Sequence, residues 1–263
     1  MSGRRGLGAR AVLAALAVVA LLTGGVALAL ARGGDDRPAP CRGMLVPAYL
    51  TPAEITALVA RGDAAPGMLV INPHNGPGAE RSDAFARAIE AAQARGAQVL
   101  GYVATGYGAR PAAEAAADVR RYAEWYGVDG VFLDEAAHDA ARLGQYRELA
   151  GIAHAATDGG TVVLNPGVVP DRGYFAFADV IVTFEGAATE YEAALRGAPP
   201  WLGEVPARQV AHLVHAASRE QALAIADRPS AAGHLYATPG GMPNPWRTVP
   251  AYLEALQDHL RRC

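Results

Sequence analysis

The sequence predicts a (β/α)8 TIM barrel preceded by an N-terminal transmembrane or signal segment. From Cys41 onward, short apolar segments alternate with stretches of helical periodicity. Eight such pairs fit into roughly 220 residues, close to the usual size of this fold. Several apolar segments end in polar groups, as at Asp134-Glu135, Asn165 and Glu185. A parallel barrel displays its active site in this way, at the carboxyl ends of its strands.

The eight candidate strands are short and lack polar alternation, which is typical of strands buried on both faces. The clearest is Val131-Phe132-Leu133, which lies between Gly130 and two adjacent carboxylates. The predicted strands are 44–49, 68–71, 98–103, 130–133, 161–164, 180–183, 209–214 and 234–237.

Helical segments are predicted between most of these strands. Thr51-Pro52-Ala53-Glu54 combines a cap, a proline at the first helical position and an acid at the third, so a helix is expected over 52–60. Between Leu164 and Val180 there is room only for a short helix, near 174–177. The other predicted helices are 83–95, 111–126, 139–157, 187–195, 218–226 and 249–262.

A doubly wound open sheet is the alternative fold. It would carry a glycine fingerprint after an early strand. The best candidate, Gly106-Tyr107-Gly108, is followed by Ala109-Arg110-Pro111, without the third glycine that the fingerprint needs. The sequence therefore favours the barrel.

The composition excludes several classes of function. The chain has 263 residues, 51% of them hydrophobic, and a net charge of -3, so it offers no electrostatic case for binding nucleic acid. All 23 basic residues are arginine. The absence of lysine excludes Schiff-base chemistry and a phosphate-loop lysine.

Residues 1–31 are predicted to be a signal peptide or a signal-anchor helix. Arg4, Arg5 and Arg10 precede an uncharged run over 11–31, which is long enough to span a bilayer with the N-terminus in the cytoplasm. Ala29-Leu30-Ala31 offers a cleavage site, so a cleaved signal and an uncleaved anchor both stay open. A flexible linker over 32–42 and an exported domain over 43–263 follow.

The two cysteines, Cys41 and Cys263, stand at the two ends of this domain. In an exported protein such a pair suggests a disulfide that closes the chain. Two unrelated free thiols are the alternative. A metal site is poorly supported, because no histidine pair has ligand spacing.

If the barrel is right, the residues that follow its strands converge on one mouth. They include carboxylates, amides and tyrosines, which hydrogen-bond hydroxyl groups and stack on sugar rings. The pattern therefore indicates a carbohydrate cleft. Its candidate ligand-binding residues are Tyr49, Asn72, His74, Asn75, Thr105, Tyr107, Arg110, Asn165, His215, Tyr236 and Thr238.

Cleavage of a glycosidic bond needs an acid and a second carboxylate. Asp134, Glu135 and Glu185 are the candidates. Neighbours on a strand point to opposite sides, so Asp134 and Glu135 can share the mouth only if the strand has ended. A helix cap for the acidic pair and a solvated loop position for Glu185 are the structural alternatives. For His74 and His215 the pattern favours hydrogen bonding over catalysis.

Three motifs in order carry a family resemblance: 71–78 (INPHNGPG), 101–107 (GYVATGY) with Arg110, and 130–135 (GVFLDE). Together they resemble the spherulin 4 family, also called spherulation-specific family 4, over about residues 43 to 260. The resemblance implies a (β/α)8 glycoside hydrolase that acts on secreted polysaccharides of galactosamine and N-acetylgalactosamine. It places the catalytic acids at Asp134, Glu135 and Glu185, and it adds Tyr102 to the expected site.

The expected function is an endo-acting glycosidase at the cell surface or outside the cell, a monomer without metal or cofactor, whose partner is an extracellular polysaccharide. Contact with the membrane would come from the N-terminal segment if it is uncleaved. A carbohydrate-binding protein without turnover is the alternative. An esterase or deacetylase is disfavoured, because no serine lies in a G-x-S-x-G elbow and no histidine-rich metal motif is present.

Overall fold

The computed structural model describes residues 42–61, 66–228 and 230–262. Its strands are β1 (Leu45–Ala48), β2 (Met68–Ile71), β3 (Gln98–Ala104), β4 (Gly130–Asp134), β5 (Thr161–Leu164), β6 (Val180–Ala187), β7 (Val210–His215) and β8 (His234–Ala237). Its α-helices are α1 (Pro52–Val59), α2 (Asp83–Gln93), α3 (Ala112–Tyr126), α4 (Leu143–Ala156), α5 (Tyr191–Gly197), α6 (Arg219–Ala226) and α7 (Leu253–Leu260).

The strands form a nearly closed parallel barrel. Each strand pairs in parallel with the next one along the chain, from β1 to β8. A parallel bridge between Gly43 and His234 returns β8 to β1, and the Leu235 amide donates to the Gly43 carbonyl at 3.1 Å. A Cβ at position 43 would lie 2.8 Å from His234 Nδ1, so glycine permits this approach. The predicted (β/α)8 barrel is confirmed.

The barrel core consists of the strand side chains that the sequence marks as apolar. Val131, Phe132 and Leu133 are at most 1% exposed, as expected of a strand buried on both faces. Helix α1 begins as predicted, since the Thr51 hydroxyl accepts from the Glu54 amide while the Glu54 carboxylate accepts from the Thr51 amide at 2.8 Å. The β5–β6 connection holds only a 3-10 helix, Arg172–Ala176.

Strand β6 differs from the prediction, which ended it at Thr183. It continues to Ala187, and its pairing with β7 shifts register between Val182 and Phe184. Such a bulge re-aims the side chains that follow it. Glu185 therefore lies within β6 rather than in the loop after it, and helix α5 begins only at Tyr191.

Two expectations fall outside the described residues. These are the signal or anchor segment at 1–31, with the linker that follows it up to Cys41, and the disulfide between Cys41 and Cys263. In the part of the chain that the structure describes, no helix has both the length and the apolar character to cross a bilayer.

Candidate active site

A cleft of about 440 Å³ opens at the carboxyl ends of the later strands. Its rim is apolar: among the described residues, the large hydrophobic side chains left exposed are Tyr107, Val168 and Met242, and all three lie here. Its polar part holds the three carboxylates that the sequence singled out. The lining residues are Tyr107, Asp134, Glu135, Asn165, Pro166, Gly167, Val168, Glu185, His215 and Met242.

Asp134 and Glu135 line the same cleft because β4 ends between them. Asp134 is the last residue of the strand, and Glu135 has φ of 50°, in the left-handed region that non-glycine residues rarely occupy. In a continuing strand the two side chains would point to opposite faces. Because the strand ends and the chain turns at Glu135, both side chains can line the mouth of the barrel.

Thr105 holds this turn from the neighbouring strand end. Its hydroxyl lies 2.9 Å from the Asp134 carbonyl and 2.7 Å from the Glu135 carbonyl, and the Tyr107 amide donates to the latter at 2.5 Å. The Tyr146 hydroxyl lies 2.6 Å from Thr105 Oγ1. Since carbonyls only accept, the single hydroxyl proton of Thr105 is shared between them, and Tyr146 donates to Thr105. The backbone strain at Glu135 is therefore offset by buried hydrogen bonds.

Asn165 joins the carboxylates of β4 and β6. Its Nδ2 donates to Asp134 Oδ1 at 2.7 Å and to Glu185 Oε2 at 2.5 Å. Because one nitrogen serves both, these two oxygens lie within about 5 Å of each other. The Asn165 Oδ1 accepts from the Gly167 amide at 3.1 Å, which fixes the orientation of the side chain.

The environments of these two acids change their proton affinities. Burial raises the pKa of Glu185 from 4.5 to about 6, and the charge of Asp134 adds to the effect. Hydrogen bonds from Asn165 and Trp246 oppose it. Burial also raises the pKa of Asp134 above 3.8, but that carboxylate accepts hydrogen bonds from Tyr102, Asn165 and the Glu135 amide, which favour its charged form.

Two tyrosines lie near Asp134. The Tyr102 hydroxyl bonds to Asp134, and the Tyr49 ring meets the Tyr102 ring edge-on at 5.5 Å. Burial raises the pKa of both hydroxyls well above 10, so both stay protonated, and Tyr102 donates to Asp134. His215 completes the lining of the cleft, and among the described residues its Nδ1 is buried without a hydrogen-bond partner.

Of the predicted binding residues, Tyr107, Asn165 and His215 line this cleft. The others do not line it: Tyr49, Asn72, His74, Asn75, Tyr102, Thr105, Arg110, Tyr236 and Thr238. Asn72 accepts from the Gly76 amide at 2.9 Å within the β2–α2 loop, where His74 and Asn75 are exposed. Arg110 Nη2 donates to Asp118 at 2.6 Å and Arg110 Nη1 to the Ala104 carbonyl at 2.9 Å. Tyr236 is 1% exposed and packs on Trp246 at 6.0 Å between ring centroids. Asn72, Arg110 and Tyr236 therefore make contacts within the protein and form the rigid frame around the cleft.

Trp246 and two of the exposed rim residues, Val168 and Met242, were not predicted from the sequence. Trp246 comes from the β8–α7 loop, is 5% exposed and bonds to Glu185 through its side chain. The only sequence signal was a single tryptophan in a loop rich in proline and glycine. Val168 and Met242 gave no signal, because apolar residues in a loop do not by themselves indicate a site. Among the described residues no group of three or more acids, histidines or cysteines could hold a metal.

The fold and the cleft together define a (β/α)8 barrel with three carboxylates gathered at the carboxyl ends of its strands. The chain belongs to spherulation-specific family 4, whose family model matches residues 43–260. This confirms the resemblance that the three motifs indicated.

Similar proteins agree with this assignment. The chain is 37% identical over 153 residues to Spherulin-4 of Physarum polycephalum, a match that covers 56% of this chain and 45% of that protein. The chain thus matches less than half of the length of that relative.

Two solved structures share the barrel. Sph3 of Aspergillus clavatus, determined in complex with GalNAc, has a TM-score of 0.71 at 23% identity, over 85% of this chain and 98% of that one. The GH2 beta-galacturonidase of Eisenbergiella tayi, bound to galacturonate, has a TM-score of 0.51 at 8% identity, over 84% of this chain and 52% of that one. At these identities the likeness establishes the fold.

Proposed function

We propose that this protein is an exported glycosidase that cleaves a polysaccharide of galactosamine and N-acetylgalactosamine, with Glu185 as general acid and Asp134 as nucleophile. One observation carries the proposal: the amide of Asn165 holds these two carboxylates within reach of each other at the mouth of the barrel. The family and the complex of Sph3 with GalNAc support the class of sugar.

Glu185 suits the role of acid. A general acid must carry a proton near the working pH, and burial raises the pKa of Glu185 to about 6. It gives this proton to the glycosidic oxygen as the bond to the anomeric carbon breaks. The released part of the chain leaves as an alcohol.

Asp134 suits the role of nucleophile, because hydrogen bonds from Tyr102 and Asn165 favour its charged form. Its oxygen attacks the anomeric carbon and forms a glycosyl ester. Glu185, now ionised, then removes a proton from water, which displaces Asp134. Nearest oxygens within about 5 Å fit a retaining enzyme, since inverting enzymes separate their carboxyl groups by about 6.5–9.5 Å.

Glu135 and the rim would hold the sugar. The Glu135 carboxylate lies in the cleft beside the acid and nucleophile and can accept from a hydroxyl or an amino group. The exposed Tyr107 ring offers a face for stacking. An open cleft suits internal cleavage of a chain, and the arginine-flanked apolar run over 11–31 supports export.

The test is cleavage of a partly acetylated galactosamine polymer by the protein and by single variants. Glu185→Gln and Asp134→Asn should each lower kcat by several orders of magnitude, while Glu148→Gln, at an exposed position on α4, should leave it unchanged. Proton NMR should show that the first product has the same anomeric configuration as the substrate, as expected of a retaining enzyme. Full activity of Glu185→Gln would remove Glu185 from the mechanism. Binding without any cleavage by the unaltered protein would indicate the carbohydrate-binding alternative.

A further inference from the structure

A second groove leaves the cleft on the side of Glu185. Its volume is about 640 Å³, and it adjoins the cleft, with which it shares the lining residues Gly167, Val168 and Glu185. It runs between the loop that follows β5 and helix α5. Its other lining residues are Val169, Pro170, Thr183, Phe184, Glu190, Ala194, Gly197, Ala198, Pro199 and Trp201.

The groove combines an aromatic ring with a carboxylate at its edge. Trp201 is partly exposed. Phe175 meets its ring edge-on at 5.9 Å between centroids, and the Arg172 guanidinium lies over the ring, 5.7 Å from its centroid. Arg172 is held in turn by Glu204 at 2.9 Å. Glu190 is exposed and lies opposite on the α5 side. Fixed aromatic faces with nearby acceptors bind the apolar and polar faces of sugar rings.

The bulge in β6 creates the wall between groove and cleft. Thr183 and Phe184, although adjacent in sequence, both line the groove, and Phe184 packs against Tyr191 at 5.1 Å. Glu185 follows them and borders both spaces. The residue assigned as acid therefore stands at the junction of the two.

We propose that this groove binds the next sugar units of the polysaccharide on the leaving-group side of the scissile bond, with Trp201 as the stacking platform. The inference rests on the proposed function. An acid that protonates the glycosidic oxygen lies beside the leaving sugar, so the chain on that side continues past Glu185. The groove that adjoins the cleft at Glu185 is the space that it would enter.

The first experiment compares two substrates: a polymer of N-acetylgalactosamine and an aryl glycoside of the same sugar, which lacks further units on the leaving side. In Trp201→Ala the ratio of kcat/KM for polymer to that for aryl glycoside should fall about tenfold, as expected for the loss of one stacked ring. Trp201→Phe should restore most of it. Trp125→Ala is the matched control, because Trp125 is also partly exposed and has an edge-on tyrosine and an arginine over its ring.

A second pair of variants fills the groove without removing a packed ring. Ala194→Leu, at an exposed position of α5 that lines the groove, should lower the same ratio, and Ala193→Leu, exposed on the same helix outside the groove, should not. An unchanged ratio in both Trp201→Ala and Ala194→Leu would overturn the proposal. An equal fall on both substrates would also overturn it.

Affinity electrophoresis in the polymer separates this inference from the proposed function. If the unaltered protein cleaves neither substrate, the glycosidase proposal fails, but retardation by the polymer still reports on the groove. Retardation that weakens in Trp201→Ala and persists in Trp125→Ala would support polymer binding there. Equal retardation of all variants would refute it.

Discussion

Glu185→Gln should make the protein more stable at neutral pH while it removes activity. Burial raises the pKa of Glu185 from 4.5 to about 6, so between these values the native state holds a proton that the unfolded chain has released. The native state therefore loses stability as the pH rises through this window. The displacement corresponds to about 2 kcal/mol, because each pKa unit is worth about 1.4 kcal/mol.

Glutamine is neutral at every pH, so the variant should exceed the unaltered protein by up to about 2 kcal/mol above pH 6 and match it below pH 4.5. Urea unfolding of both proteins at a pH on each side of the window measures the difference. Glu148→Gln, at an exposed site on α4, is the control for the chemical change itself. A stability difference that does not vary with pH would refute the reasoning, as would a loss of stability at both pH values.

Two further predictions concern the surroundings of Glu185 and the packing of the barrel. Trp246→Phe removes a hydrogen bond that lowers the pKa of Glu185, so the alkaline limb of the activity profile should move to higher pH, and an unmoved limb would contradict that contact. Gly101→Ala should destabilise the fold by about 1–3 kcal/mol in urea unfolding, because a Cβ there would lie 2.4 Å from the ring of Tyr122. Gly144→Ala, in α4 with nothing within 4 Å, should not, and equal effects of the two changes would count against this packing.

The barrel was predictable because its evidence is local. Buried parallel strands such as 131–133 lack polar alternation, and Thr51 with Glu54 marks a helix start without reference to distant residues. The end of β6 was predicted wrongly, because a bulge depends on how β6 pairs with β7 rather than on the composition of β6. The sequence placed Glu185 near the end of the sixth strand, as observed, but in the loop after the strand rather than within it.

The cleft was only partly predictable, for a related reason. Position after a strand predicts that a residue lies near the mouth, but not where its side chain points. Arg110 turns toward Asp118, eight positions on, and Tyr236 turns into the core against Trp246. Trp246 was missed because it belongs to a loop without periodicity, so nothing local connects it with Glu185.

The contacts divide the site into a rigid frame and an exposed rim, and this division has a functional consequence. Partly buried hydrogen bonds from Thr105 and Asn165 hold the acids through strands and neighbouring loops. The rim residues Tyr107, Val168 and Met242 are exposed on loops and can change without disturbing that frame. Differences in polymer preference between barrels that share these acids should therefore arise in the rim, whereas the reaction itself is set by the frame.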